Sequence, residues 1–98
     1  MTKGVIIVLT VNNYPGVMSR ITELFSGRNY NLDGILCAPI EDGSKSRMYL
    51  LVNEDKRLSM ILAQLGKLYD VKTVSICDEC DRGVFDRLHS IVGFNNRQ

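Results

Sequence analysis

The stretch 4-GVIIVLTVNNYPGVMSRITELF-25 decides the fold, because an apolar strand runs into a helix across a short polar turn. Residues 4 to 12 are rich in Val and Ile and short enough for a strand. Pro15 fixes φ where a first helical turn needs it, so we expect it at the first helical position. Four apolar residues then follow at the spacing of one helical face: Val17, Ile21, Leu24 and Phe25.

The next segment predicts a hairpin at the edge of a sheet. Residues 30 to 41 predict a second strand, in which Gly34 indicates a bulge or a close backbone approach. Pro39 lacks a ladder donor, so this strand should lie at the sheet edge. The polar run 41-EDGSKS-46 contains Asp-Gly, a hairpin signal, and residues 47 to 53 predict the third strand.

The second half of the chain predicts one more helix and one more strand. Asn53 or Asp55 can cap a helix whose apolar stripe runs from Leu58 to Leu68, and residues 71 to 77 predict the fourth strand. The order βαββαβ predicts an α+β, ferredoxin-like fold, with two helices on one face of a four-stranded antiparallel sheet. We divide the chain into a folded domain, 1–77, and a C-terminal tail, 78–98. The tail allows a short helix around residues 84 to 92, and its end, GFNNRQ, is expected to fray.

Composition excludes several classes of protein. The chain has 98 residues, which fits one domain, and a net charge of +1 with interspersed basic residues, unlike a nucleic-acid-binding face. No apolar run approaches the roughly 20 residues of a membrane span, and we find no signal peptide. Three cysteines without a secretory signal indicate a reduced compartment. We therefore expect a cytoplasmic protein without nucleic-acid or membrane partners.

The loop 12-NNYPGVM-18 has two interpretations. Backbone N–H groups at a helix start lack intrahelical partners, and the helix dipole favours an anion there. Gly16 would let a ligand carboxylate approach the backbone, Asn13 could add a polar side chain, and Asn31 could reach the same ligand from the second strand. The alternative is an ordinary helix start, with Asn31 as a plain strand opener. Spacing alone leaves both open.

The pair of cysteines in 77-CDEC-80 also has two interpretations. A redox CxxC works best at a helix start that lowers a thiol pKa, whereas acidic residues surround this one. A zinc site needs about four ligands, and His89 is the chain's one histidine. We expect two tail thiols, and a small metal or redox module is the alternative. We find no nucleophile, base and orienter together, which favours a non-enzyme.

Most of the chain resembles a known protein family. The run NNYPGVMSRITELFSGRNYNLDGI, followed by LCAPIED, SRMYLLVNEDKRL and LGKLYDVKTV, resembles the ACT domain of the small regulatory subunit of acetolactate (acetohydroxyacid) synthase over about residues 4 to 76. The short length resembles the single-domain type. The resemblance implies a non-catalytic homodimer that binds valine or another branched-chain amino acid, activates the large catalytic subunit and confers feedback inhibition.

The resemblance also implies an effector site between two chains. Its loop residues would be Asn13, Pro15, Gly16, Val17 and Met18, and its residues from the partner's second strand would be Asn31, Leu32, Ile35, Cys37 and Ala38. It implies no catalytic or metal-binding residue in this chain. Thiamine diphosphate, Mg and FAD are expected only in the catalytic partner. A stand-alone ACT sensor that regulates another enzyme is the remaining alternative.

Overall fold

The computed structural model describes residues 4–93. The order of its main elements confirms the βαββαβ prediction: β1 (Gly4–Asn12), α1 (Val17–Gly27), β2 (Gly34–Ile40), β3 (Lys45–Asn53), α2 (Leu58–Gly66) and β4 (Val71–Cys77). The tail continues with a 3-10 helix (Arg82–Arg87) and one turn of helix, α3 (Leu88–Ile91). The end that we expect to fray lies mostly outside the described residues. In the described part, no helix is long and apolar enough to cross a bilayer.

The four strands form one antiparallel sheet in the order β2-β3-β1-β4. β1 lies at the centre, where Ile7 faces Leu50 of β3 on one side and Ile76 of β4 on the other. β2 lies at the edge and carries Pro39, as predicted. The turn before β3 is also confirmed, with Gly43 at φ 92.

One face of the sheet packs against both helices. Alternate residues of β1 and β3 are buried there, together with the apolar stripes of the helices. Ile21 and Phe25 of α1 and Ile61 and Leu65 of α2 are almost completely buried. Burying each such side chain contributes roughly 1.5–3 kcal/mol. This core fixes the end of β1 and the start of α1 relative to the rest of the sheet.

Two predicted boundaries beside the site are wrong, and β3 also begins at Lys45 rather than at residue 47. Pro15 is not the first helical residue, because Gly16 adopts a left-handed φ of 92 before α1 begins at Val17. The second strand begins at Gly34 rather than at residue 30. Tyr30 is only 4% exposed, and its main-chain N donates to Phe25 O at 2.9 Å. This contact extends the end of α1, so Asn31 lies in the coil before β2.

The tail contacts the sheet at Gly34. A Cβ added at Gly34 would lie 2.5 Å from the ring of Phe85, so this glycine allows the close approach that we predicted. The expectation of two free thiols is wrong, because Cys77 and Cys80 form a disulfide. Their Cα atoms lie 5.6 Å apart, within the normal range for a disulfide.

Candidate ligand-binding site

A cleft of about 430 Å³ lies between the β1–α1 turn and the edge strand β2. We call it the loop cleft. It brings together the five predicted loop residues, Asn13, Pro15, Gly16, Val17 and Met18, with Cys37 of the same chain, which we expected from the partner's strand. Val11, Asn12, Tyr14, Ser46 and Met48 complete its lining. The loop cleft is therefore the candidate site.

The start of α1 opens into this cleft. Within residues 4–93, no side chain caps this helix, and its first turn contains no acidic residue. Val17 N donates to Tyr14 O at 3.4 Å and Arg20 N donates to Gly16 O at 3.1 Å, so the first-turn amides without a main-chain partner among residues 4–93 are those of Met18 and Ser19. These amides and the positive end of the helix dipole favour an anion.

Gly16 is required by the backbone at this position. Its φ of 92 lies in the left-handed region, which disfavours any residue with a Cβ. A Cβ here would also lie 3.1 Å from Nη1 of Arg20. The sequence suggested Gly16 as a place where a ligand approaches the backbone, and the structure adds the turn as a second reason for glycine.

Asn13 ties the loop to the β2–β3 hairpin. Its main-chain N donates to Ser44 O at 3.0 Å, and its Nδ2 donates to Gly43 O at 2.8 Å. The side-chain amide therefore has a structural role that local sequence does not indicate. A direct contact between Asn13 and a ligand stays a prediction.

Four predicted residues, Ala38 among them, lie outside the loop cleft. Asn31, Leu32 and Ile35 line a second cleft, of about 380 Å³, at the end of α1. Asn31 Nδ2 donates to Asp33 Oδ1 at 2.7 Å, and Ile35 is 38% exposed. One chain therefore does not bring them to the loop cleft.

Cys37 contributes an uncharged thiol to the lining of the loop cleft. It is a free cysteine on β2, opposite Met48 of β3. Burial raises the pKa of its thiol, and a hydrogen bond with the Ser46 side chain only partly offsets this effect. The thiol is therefore protonated at neutral pH, which suits contact with an apolar ligand group and disfavours nucleophilic chemistry.

Asp70 is a residue that the sequence analysis missed. It is 8% exposed and lies just before β4. Its carboxylate accepts hydrogen bonds from Asn12 Nδ2 at 3.1 Å, from the Tyr14 hydroxyl and from Arg20 Nη2. These three bonds hold the pKa of Asp70 at about 2, the one from Tyr14 having the largest effect. No local sequence pattern predicts this cluster, because Asp70 lies 50 or more residues from each of its three partners.

The described residues offer no grouping suited to a metal ion. Over residues 4–93, no three or more His, Cys, Asp or Glu side chains come together in a way that could hold one. Cys77 and Cys80 are bonded to each other, and Cys37 lies on β2, at the opposite edge of the sheet from β4, which ends at Cys77. The loop cleft itself is lined by amides, hydroxyls, one thiol and apolar side chains.

Comparison with known proteins agrees with this architecture. Residues 7–73 match a family model described as an AHAS small subunit-like ACT domain. The acetolactate synthase isozyme 1 small subunit of Escherichia coli K12 is 45% identical over 85 residues, which cover 87% of this chain and 88% of that protein. The isozyme 3 small subunit of the same strain is 41% identical over 71 residues, covering 71% of this chain and 44% of that protein.

A solved structure extends the likeness to three dimensions. The acetolactate synthase small subunit from Thermotoga maritima aligns with a TM-score of 0.70 and 29% identity, over 79% of this chain and 48% of that chain. This chain therefore spans most of the isozyme 1 subunit and about half of the longer subunits. The chain belongs to the family of acetolactate synthase small subunits with an ACT domain, whose role is regulatory rather than catalytic.

Proposed function

We propose that this chain binds valine, or another branched-chain amino acid, at the interface of an ACT dimer. In this proposal it activates the large catalytic subunit of acetolactate synthase and confers feedback inhibition in branched-chain amino acid biosynthesis. One observation carries the proposal: the start of α1, which no side chain caps among residues 4–93, opens into a cleft that Cys37 of the edge strand β2 also lines.

Each part of the amino acid has a matching surface in the loop cleft. The first-turn amides of α1 suit its carboxylate. Met18, which is 45% exposed in the single chain, offers apolar surface for a branched side chain, while Val17 and Met48 line the cleft as buried core residues. Burying an isopropyl group contributes roughly 1.5–3 kcal/mol. The ammonium group needs a polar acceptor, which the partner subunit's Asn31 would provide.

The edge strand supports the dimer. In the part of the chain that the structure describes, β2 has a strand neighbour only on its β3 side, and Ile35, Cys37 and Ala38 are exposed along it. An apolar edge of this kind favours pairing with a second copy. In an antiparallel pair, the start of one β2 lies beside the end of the other, next to the loop cleft. This arrangement would bring Leu32 and Ile35 of the partner subunit, along with its Asn31, to the effector.

The assembly with the large subunit forms a further part of the proposal. Thiamine diphosphate, Mg and FAD would reside in the catalytic subunit, and the complex would work in the cytoplasm. Residues 78–98 would form a tail beyond the ACT domain. Co-purification with a large thiamine-diphosphate enzyme supports this assignment, whereas capture of an unrelated enzyme alone supports the stand-alone sensor.

Calorimetry with valine, leucine and isoleucine tests effector binding directly. Valinamide, which lacks the carboxylate, is the matched control and should bind much more weakly. At 100 times the dissociation constant, the effector should stabilise the fold by about 2.7 kcal/mol in thermal unfolding. No heat and no thermal shift with all three amino acids would contradict the proposal.

Mixed dimers test whether two chains share the site. We expect Gly16→Ala and Asn31→Ala each to weaken binding in homodimers. A heterodimer of the two variants would place both changes in one site and leave the other site intact. Unfolding and refolding an equal mixture should therefore restore wild-type affinity to about a quarter of the sites. No recovery would place the whole site within one chain.

A further inference from the structure

Asp70 connects the α2–β4 junction to the segment that opens α1. Oδ1 accepts hydrogen bonds from Asn12 Nδ2 and from the Tyr14 hydroxyl, and Oδ2 accepts one from Arg20 Nη2. The main-chain O of Asp70 also accepts from Asn12 N at 2.9 Å. Four hydrogen bonds thus join Asp70 to the segment 12–20: two to Asn12, one to Tyr14 and one to Arg20.

An irregularity in the sheet lies where Asp70 makes these bonds. The pairing of β1 with β4 shifts between Thr10↔Thr73 and Val11↔Val71, which leaves Lys72 as the extra residue on β4. A bulge re-aims the chain beside it. Asp70 immediately precedes this shifted segment and meets Asn12 at the end of β1.

The ion pair between Arg20 and Asp70 lies beside the turn that precedes α1. Arg20 lies in the first turn of α1. Its guanidinium contacts the carboxylate of Asp70 and lies next to Gly16. The carboxylate is ionised at neutral pH, is 8% exposed and already accepts three side-chain hydrogen bonds, so the side chain is committed to residues of its own chain. Its contacts all act on the loop that lines the cleft.

We propose that Asp70 is a positioning residue for effector binding, an inference that rests on the proposed function. It holds residues 12–20 in the conformation in which the first-turn amides of α1 face one anion. The effector does not touch Asp70, but the affinity depends on it because a loop that is ordered before binding loses less entropy on binding.

The variant Asp70→Asn tests this role, and Asp55→Asn is its matched control. Both aspartates accept hydrogen bonds from an arginine near a helix start, and Asp55 lies just before α2, away from the loop cleft. We expect the dissociation constant of valine, measured by calorimetry, to rise about tenfold in Asp70→Asn. It should stay within about twofold in Asp55→Asn, because distant sites act independently. An unchanged constant in Asp70→Asn would overturn the inference.

A milder variant covers the case in which Asp70→Asn does not fold. Tyr14→Phe keeps the carboxylate and removes one donor, so the dissociation constant should rise about threefold. In a folded double variant, Tyr14→Phe should add less to the effect of Asp70→Asn than it does alone. Full additivity, or an unchanged constant in Tyr14→Phe, would show that the hydrogen bond does not position the loop.

Hydrogen exchange of the ligand-free protein separates this inference from the proposed function. Asp70→Asn, or Tyr14→Phe in its place, should accelerate exchange of the amides from Gly16 to Arg20, and Asp55→Asn should not. Unchanged exchange overturns the positioning role whether or not the wild-type protein binds valine. Faster exchange in a protein that binds no branched-chain amino acid supports the role and contradicts the proposed function.

Discussion

The two main helices each follow a central strand of the same sheet, and among residues 4–93 neither has a side-chain cap or an acidic residue in its first turn, but the segments just before them differ. Before α2, Asp55 Oδ1 accepts from the main-chain N of Arg57 at 2.8 Å and from its Nε at 3.0 Å. Arg57 Nη1 in turn donates to Arg28 O, at the end of α1, at 2.7 Å. A carboxylate therefore lies just before α2, and the guanidinium of Arg57 pairs with it.

The start of α1 lacks such a carboxylate. Gly16, its N-cap, has a φ of 92, whereas Arg57, the N-cap of α2, has a φ of -82. The carboxylate nearest to the α1 segment in the hydrogen-bond network belongs to Asp70, and the loop's own side chains occupy it. Topology alone thus does not create an anion site. We expect an anion to bind only where contacts outside the first turn hold a helix start in place and no acidic side chain occupies it.

Gly16→Ala should have the largest effect on effector binding. The new Cβ meets Arg20 Nη1 at 3.1 Å and forces a residue with a side chain into the left-handed region, at a cost of roughly 1–2 kcal/mol. Because the turn must move, the effector dissociation constant should rise about a hundredfold, as measured by calorimetry.

Gly43→Ala is the matched control for backbone strain. Gly43 also has a φ of 92, and a Cβ there meets nothing within 4 Å. The two variants should lose a similar free energy of unfolding in urea titrations, but Gly43→Ala should keep its affinity for the effector. Equal loss of affinity in both would mean that strain alone, rather than the geometry of the α1 start, controls binding.

Pro15→Asp should place an acidic side chain just before α1, as Asp55 lies just before α2. Pro15 is exposed in the loop cleft and has no N–H to lose. A carboxylate here competes with the effector's carboxylate for the first-turn amides and repels it, so calorimetry should show affinity falling about tenfold or more. Pro15→Asn, which has the same shape without the charge, should bind considerably better than Pro15→Asp. If the two variants bind alike, charge at the start of α1 does not control recognition.

The comparison of the two helix starts also shows which features the sequence could predict. Strand and helix order followed from periodicity, because alternation in β1 and the 3.6-residue spacing in α1 are local signals. The boundary at Tyr30 was missed because this side chain is buried by long-range packing, with its hydroxyl donating to Asn53 O at 2.7 Å. The left-handed φ of Gly16 was missed because Pro-Gly is equally compatible with a regular helix start.

The candidate site followed partly from the sequence. The resemblance to a family named the loop residues that the structure gathers into one cleft, together with Cys37. It did not reveal Asp70, because the cluster around that residue depends on the shifted pairing of β1 with β4. Nor did it reveal the hydrogen bond from Asn13 to Gly43, which depends on where the hairpin ends. Contacts between distant segments were therefore the part that local patterns could not predict.

The smallest effect on effector binding should come from Asp55→Asn, which instead changes the dependence of stability on pH. Hydrogen bonds from the side chain and the main chain of Arg57 lower the pKa of Asp55 to about 2, compared with about 3.9 in an unfolded chain. The unfolded state therefore binds more protons between about pH 4 and pH 2, and the free energy of unfolding falls as pH falls through that window.

Urea titrations from pH 7 to pH 2 measure this dependence. In Asp55→Asn, the slope of the free energy of unfolding between about pH 4 and pH 2 should correspond to about one proton fewer than in the wild-type protein. Asp70→Asn should flatten the curve in the same way, because the pKa of Asp70 is also about 2. The two variants then differ at pH 7, where only Asp70→Asn weakens the effector. If Asp55→Asn weakened it equally, the start of α2 would belong to the regulatory site, and the contrast between an open and a closed helix start would fail.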